Sequence, residues 1–433
     1  MATFTETFGL SRMAALSVVM FAGLVMAGGI LWFVLSAPPR ELVMTAGPEG
    51  SSFERFAEKY RDILSSNGVT LKILPSQGSM ENLQRLSNKS LPIDIGFVQA
   101  GQTNDGNGAE LFSLGSVAYQ PLLIFYRTNA PATLLSDFSG RRLAIGAAGS
   151  GTHMLAMTLL ETNGIATNGD TKLLDLDADG AADALLAGKV DAVFLMGDSA
   201  SRTTLLKLLR SPGIQIFDFV EADAYSRRFS YLNKLVLPRG AIDLGKDVPT
   251  HDVNLIGPTV ELLARADLHP ALSDLLLEAA HDVHGGGNML QHRDEFPAPL
   301  EHDFKISPDA SRYYKSGKSL LYRSLPFWLA SLSNRVLVAF VPMMLVLIPG
   351  LKFIPHIYKW RVQLRIYRWY RNLLGVEHDL DDELTNAKRA ELQKRLDSIE
   401  NSVNRMKIPA SFAGQFYGLR EHIGFVRDRL KQD

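Results

Sequence analysis

Serine, threonine and glycine gather at three helix starts in this chain. The apolar run 42–46 gives way to Gly47-Pro48-Glu49-Gly50-Ser51-Ser52 and then a helix from Phe53. The run 71–74 leads into Pro75-Ser76-Gln77-Gly78-Ser79 and a helix from Met80. The run 143–145 leads into Gly146-Ala147-Ala148-Gly149-Ser150-Gly151-Thr152 and a helix from His153. Each turn sets unpaired backbone N–H groups and small hydroxyls at a helix N-terminus, where a negative charge is stabilised. The chemistry this suits is the binding of a small anion. A fourth polar group, Gln99, ends the apolar run 94–98, and the C-terminal edge of a sheet is where open α/β folds bind ligands. Turns need Gly and Ser for backbone reasons alone, and an amide can simply cap a loop. Taken singly, each feature keeps both readings.

Other chemistry lacks its residues. Gly149-Ser150-Gly151-Thr152 has no following Gly-Lys-Ser/Thr, so it is not a phosphate loop of the nucleotide-binding kind, and no dinucleotide fingerprint is present. His281 and His284 stand three apart without a third ligand at a recognisable spacing. Asp175, Asp177 and Asp179 alternate but do not match a calcium loop. No catalytic constellation is found, and no cofactor is expected. The chain has no cysteine, hence neither a disulfide framework nor a thiol nucleophile. A formal net charge of −1 over 433 residues gives no footprint for nucleic acid.

The elements that must position these groups follow from periodicity. Strands are expected at 41–46, 69–74, 93–98, 122–126, 142–146, 191–195, 214–217 and 232–237. Helices are expected at 53–67, 80–87, 153–163, 180–187, 201–209, 260–265 and 270–281. Ser51 and Glu54 have the spacing of a capping pair, and Gly164 and Gly188 follow their helices as C-caps. Alternating β and α implies layered α/β sheets, and about 270 residues of it implies two lobes.

Two apolar stretches bracket this middle. Residues 14–35 hold 22 positions without a charge, the length of a bilayer span, and are expected to be an uncleaved signal anchor. Residues 336–354 are expected to form a second transmembrane helix, kinked at Pro342 and Pro349. Lys352, Lys359, Arg361, Arg365, Arg368 and Arg371 follow, which marks that side as cytoplasmic. Residues 358–374 mix Arg with Trp and Tyr like an interfacial helix on an anionic lipid bilayer. Residues 383–406 and 411–430 are expected to pair as a helical hairpin. The domain reading is therefore an anchor at 14–35, a periplasmic domain at 40–310, a juxtamembrane segment at 311–335, a span at 336–354 and a cytoplasmic helical tail at 355–433.

In order along the chain, Gly47 to Ser52, Ser76-Gln77-Gly78-Ser79-Met80-Glu81-Asn82-Leu83, Asp94 to Gln99, Leu114-Gly115-Ser116, Gln120-Pro121-Leu122 and Gly140 to Thr152 resemble the extracytoplasmic receptors of TRAP transporters, in their TAXI branch. Residues 181–192 fit as well. The resemblance covers about 40–300 and extends to a membrane-anchored subgroup. It implies a two-lobed periplasmic-binding-protein fold, type II-like, with hinge strands near 119–127 and 231–238. Lobe one would hold 40–120 and 235–310, and lobe two 128–230. It implies a glutamate-like amino acid or other small carboxylate between the lobes, held by Ser51, Ser52, Ser79, Asn82, Gln99, Ser150, Gly151 and Thr152. It also implies a TRAP-type permease as partner, in a bacterial inner membrane, and no enzymatic activity. The family's usual Gly-Thr-Tyr-Tyr is absent from the first turn, where Ser51-Ser52-Phe53-Glu54 stands. A sensor that relays binding through the second span to the tail is the alternative reading.

Overall fold

The computed structural model describes residues 20, 23–24, 27–28, 30–35, 37–102, 110–127, 131–166, 169–317, 327–380, 386–406 and 412–432. The chain divides into two compact units, Ala37–Asn334 and Met1–Ser36 with Arg335–Asp433.

The first unit contains two sheets. One orders its strands β2 (Thr70–Leu74), β1 (Glu41–Thr45), β3 (Ile95–Gln99), β11 (Val253–Arg265), with β4 (Leu111–Tyr119) beside β11 and β10 (Leu232–Leu237) on the front half of β11. The other orders β7 (Lys172–Leu174), β6 (Arg142–Ala144), β8 (Ala192–Leu195), β5 (Leu123–Tyr126), β9 (Gln215–Ile216). In each, three parallel strands are followed by one antiparallel strand that arrives from the other lobe. This is the expected two-lobed α/β layout. Helices α1 (Ser52–Ser66), α2 (Ser79–Ser87), α7 (Pro270–His284) and α8 (Pro308–Ser316) belong to the first lobe, and α3 (Gly151–Thr162), α4 (Ala178–Leu186), α5 (Arg202–Leu209) and α6 (Ala222–Arg228) to the second.

The lobes are joined by two stretches bonded to each other. Gln120 N–H donates to the Pro258 carbonyl at 2.9 Å, and Leu122 N–H to the Ile256 carbonyl at 2.8 Å. A Cβ on Gly257 would stand 2.3 Å from the Gln120 carbonyl oxygen, so only glycine allows this crossing. The return crossing therefore falls at 256–259, not at the expected 231–238. Leu235 and Leu237 of β10 pack with Phe125, Val193 and Leu195 of the second lobe.

Residues 260–265, expected as helix, are the central strand β11. Strand and helix look alike here because the segment is buried on both faces, so its apolar residues do not alternate with polar ones. Val260, Leu262 and Ala264 join the core under α1 and α7, while Leu263 joins the cluster on the opposite face. Glu261 is caught on that strand, 1% exposed, and among the described residues its carboxyl oxygens find no hydrogen-bond partner. Burial pushes the carboxyl up to about 7, Asp303 adds to the rise, and the nearby Ser113 hydroxyl opposes it without reaching bonding geometry.

In the second unit, the C-terminal part of α9 (Phe327–Leu380), from Val362 to Leu380, packs with α10 (Asn386–Asn404) and α11 (Ala413–Gln432). Leu373, Val376 and Leu380 meet Leu392, Leu396, Ile399 and Val403 of α10 and Leu419, Ile423, Val426 and Leu430 of α11. Spacings of three and four on all three helices give a heptad-type seam. The expected hairpin of α10 and α11 thus has a third helix in its core. Residues 358–374 are the middle of α9, continuous with 336–354, and are not a separate interfacial helix. Among the described residues, no helix is long and apolar enough to cross a membrane. The expected anchor at 14–35 lies largely outside the described residues, apart from helical backbone at 20, 23–24, 27–28 and 30–35.

The raised carboxyl of Glu261 makes a stability prediction. The folded protein holds this proton up to about 7, whereas an unfolded glutamic acid releases it near 4.5. The folded state therefore binds more protons between these values, and stability falls as pH rises through that window. The full cost above the upper value is roughly 3 kcal/mol at 1.36 kcal/mol per unit. Glu261→Gln is expected to flatten this slope and raise stability at pH 8, read by denaturant unfolding across pH.

Candidate interlobe site

The three turns sit where the sequence puts them, and the side-chain caps of the first and third are local. Ser51 caps α1 by accepting from Glu54 N–H at 3.2 Å, and the Glu54 carboxylate reaches back to Gly50 N–H at 2.5 Å. Ser150 caps α3 by accepting from His153 N–H at 3.1 Å and donates to the Ala147 carbonyl at 2.7 Å. Both hydroxyls are committed to the backbone and fully buried. Asn82 is committed too. Its amide donates to the carbonyls of Ala46 and Phe97 at 2.6 and 2.9 Å and accepts from the hydroxyls of Thr45 and Ser76 at 2.6 and 2.7 Å. That fills the bonding capacity of a side-chain amide. Ser51, Ser150 and Asn82, expected as solute contacts, are instead braces that shape the turns.

The remaining expected residues converge on one loop of the second lobe, Met196-Gly197-Asp198-Ser199, which follows β8. Ser52 donates to the Gly197 carbonyl from both its backbone N–H and its hydroxyl, each at 2.7 Å. Gln99 points its amide N–H at the Met196 sulfur, 3.9 Å away. Gly151 N–H donates to Asp198 Oδ2 at 2.8 Å, and Thr152 Oγ1 donates to Asp198 Oδ1 at 3.0 Å. The Ser199 hydroxyl adds a bond of 3.0 Å to Oδ1, and the Ser79 backbone N–H faces the same carboxylate from the first lobe. The Ser79 hydroxyl turns away, accepting from Gln99 N–H at 2.6 Å and donating to Gln102 Oε1 at 3.0 Å. At the hinge, the network assigns the Gln120 amide oxygen as acceptor of the Gly197 and Asp198 N–H groups.

Two helix N-termini, α2 of one lobe and α3 of the other, thus aim at a single carboxylate. The carboxylate belongs to Asp198, which the sequence reading did not select. It is fully buried, and burial raises its pKa against the downward pull of Gly151 N–H, the Ser199 and Thr152 hydroxyls and Ser79 N–H. Its signal was available: it stands just past the C-terminal end of an apolar strand, in the second lobe's counterpart of the Gln99 position.

Close approach depends on glycine. A Cβ on Gly47 would lie 2.7 Å from the Asp198 carbonyl oxygen, one on Gly78 would lie 2.7 Å from Asp198 Oδ2, and one on Gly151 would lie 2.1 Å from Gln99 Oε1. The lobes also bond directly, Glu81 N–H to the Gly149 carbonyl at 3.0 Å.

Space remains on both sides of the loop. A cavity of about 310 Å³ lies between Pro48, Glu49 and Gln77 of the first lobe and Ala147, Asp177, Asp179, Ser199 and Ser201 of the second. Its three carboxylates are not matched by any Lys or Arg in the lining. Asp177 caps α4 through Gly180 N–H, and Asp179 accepts from the Thr204 hydroxyl. A second cavity of about 420 Å³, beside the hinge, is lined by Ser52, Lys59, Gln120, Gly197, Leu205 and His284, among others.

Residues 53–282 match the family model described as NMT1-like, which covers more than half of the chain. Solved structures are similar at low identity. The periplasmic aliphatic sulphonate binding protein of Escherichia coli is 16% identical over 57% of this chain and 69% of its own, with a TM-score of 0.35. The alkanesulfonate-binding protein of Xanthomonas axonopodis bound to MOPS is 18% identical over 57% and 74%, with a TM-score of 0.36. A regulatory domain from Synechocystis in complex with 2-PG is 12% identical over 56% and 97%, with a TM-score of 0.38.

Gly47→Ala tests the interlobe fit. Its methyl group meets the Ser51 hydroxyl of its own turn and the Asp198 carbonyl across the cleft, so both that turn and the loop at 196–199 must shift. A loss of about 1–3 kcal/mol in unfolding free energy is expected, together with a larger radius of gyration by small-angle scattering.

Proposed function

This chain belongs to the NMT1-like family, and we propose from that premise that it is a solute-binding receptor that closes its two lobes around a small carboxylate. One observation carries the reading: helix N-termini from opposite lobes meet at a carboxylate position, with the Thr152 hydroxyl beside them. Such a position favours an anion through unpaired N–H groups and helix dipoles, and it is completed only when the lobes come together. Ligand binding and domain closure are then one event.

Of the expected contacts, Ser52, Ser79 through its backbone, Gln99, Gly151 and Thr152 retain a role at this centre. The neighbouring acidic cavity suits the ammonium group of an amino acid whose carboxylate lies in the cradle. A glutamate-like amino acid heads the list of solutes. Delivery to a TRAP-type permease, as in the TAXI branch, is part of the proposal. So is anchoring through 14–35 and 336–354 with the helical tail in the cytoplasm, which rests on the uncharged run and the basic residues after 354.

Thermal unfolding of the full chain against amino acids and mono- and dicarboxylates tests the receptor. A solute at 100 times its Kd adds about 2.7 kcal/mol of stability. Thr152→Val is expected to abolish the shift. No shift with any carboxylate would refute this ligand class. Anchoring is checked by alkaline carbonate extraction of membranes: the chain is expected in the pellet and, after deletion of both apolar stretches, in the supernatant.

A further inference from the structure

Asp198 lines neither neighbouring cavity and sits in the cradle itself. Its carboxylate accepts from Gly151 N–H, from the hydroxyls of Thr152 and Ser199, and faces Ser79 N–H of the other lobe. The backbone on either side is fixed as well: the Gly197 carbonyl takes two bonds from Ser52 of the first lobe, and Gln120 at the hinge holds the N–H groups of Gly197 and Asp198. Each cradle N–H is a single donor, and two carboxylates at hydrogen-bond distance from the same donors repel. A solute carboxylate and Asp198 therefore exclude one another.

We propose that Asp198 is an intramolecular ligand: its carboxylate fills the interlobe cradle, clasps the lobes shut without solute, and must be displaced before a solute carboxylate binds. The proposal deepens the receptor reading, on which it rests for the identity of the competitor. A carboxylate tethered three residues past β8 competes at an effective concentration of about millimolar or more. It raises the apparent Kd of any solute by the ratio of that concentration to the internal Kd. Asp198 thus sets the affinity threshold of the site, so that weak carboxylates with no further contacts stay unbound at working concentrations.

The test uses the full chain. Since it lacks cysteine, two spin labels are introduced at exposed Lys72 of the first lobe and exposed Lys172 of the second, and their separation is measured without solute. The unsubstituted background is expected to give one short distance. Asp198→Ala removes a carboxylate and leaves room the size of formate, and it is expected to lengthen and broaden the distribution. Formate should restore the short distance and raise the unfolding midpoint of Asp198→Ala by several degrees, leaving the background and the isosteric Asp198→Asn unmoved. An unchanged distance in Asp198→Ala, or no response to formate, overturns the proposal. If Asp198→Ala does not fold, Asp198→Asn carries the distance measurement, and a distribution identical to the background overturns it. Tighter solute binding by Asp198→Asn than by the background supports displacement, and weaker binding overturns it. Failure of every solute to stabilise the background speaks against the receptor reading alone, because the distance and formate arms need no natural solute.

Discussion

The Asp198 carboxylate lies fully buried among donors, and those donors come from both lobes. An acceptor-only group out of water costs several kcal/mol unless its lone pairs are met. Meeting them requires the N-terminus of α3, the Ser199 and Thr152 hydroxyls and the N-terminus of α2 to stand around one point. The rest of the interlobe surface follows from that requirement. Gly47, Gly78 and Gly151 lack side chains because the lobes come within van der Waals distance there. Ser150 is tied into its own turn, and Asn82 ties the second turn to the ends of β1 and β3, so that the N–H groups beside them hold their direction.

The two sheets explain why the cradle has contributions of the same kind from each side. Counterpart positions in the two orders pair β1 with β6 and β3 with β8. The glycine-rich turn after β1 thus corresponds to the turn after β6, and Gln99 after β3 corresponds to the 196–199 loop after β8. Each lobe offers its C-terminal strand edge to the other, and one of the two edges bears an acid.

Much of this was legible from residue order, and the gaps have physical causes. Strands β1, β2, β6 and β8 announce themselves as short apolar runs ended by Gly or Ser, and the caps at Ser51 and Ser150 follow from hydroxyls at helix starts. Strand β11 was misread because a strand buried on both faces loses the alternation that identifies it. Its crossing at Gly257 was hidden for the same reason. The third helix of the tail was missed because residues 358–374 read equally well as basic amphipathic surface. The division of the eight expected contacts into braces and cradle members could not be read at all. Whether a serine hydroxyl serves its own helix or a neighbour depends on partners from distant elements, such as the Ala46 and Phe97 carbonyls at Asn82. Asp198 matches no spacing rule, since all its donors but the adjacent Ser199 hydroxyl lie more than forty positions away in the chain.

The hinge has a mechanical character of its own. Residues 119–122 and 256–259 form a two-stranded antiparallel ribbon, bonded across its width and pinched at Gly257. Hydrogen bonds across the ribbon resist sliding of one strand past the other, whereas twist about the long axis preserves them. Twist and out-of-plane bending are the motions of the ribbon that keep these bonds, and its stiffest point is the glycine contact. Groups near the axis, such as Gln120, move little as it turns. Those at the outer sheet edges, such as β2 and β7, sweep wider arcs.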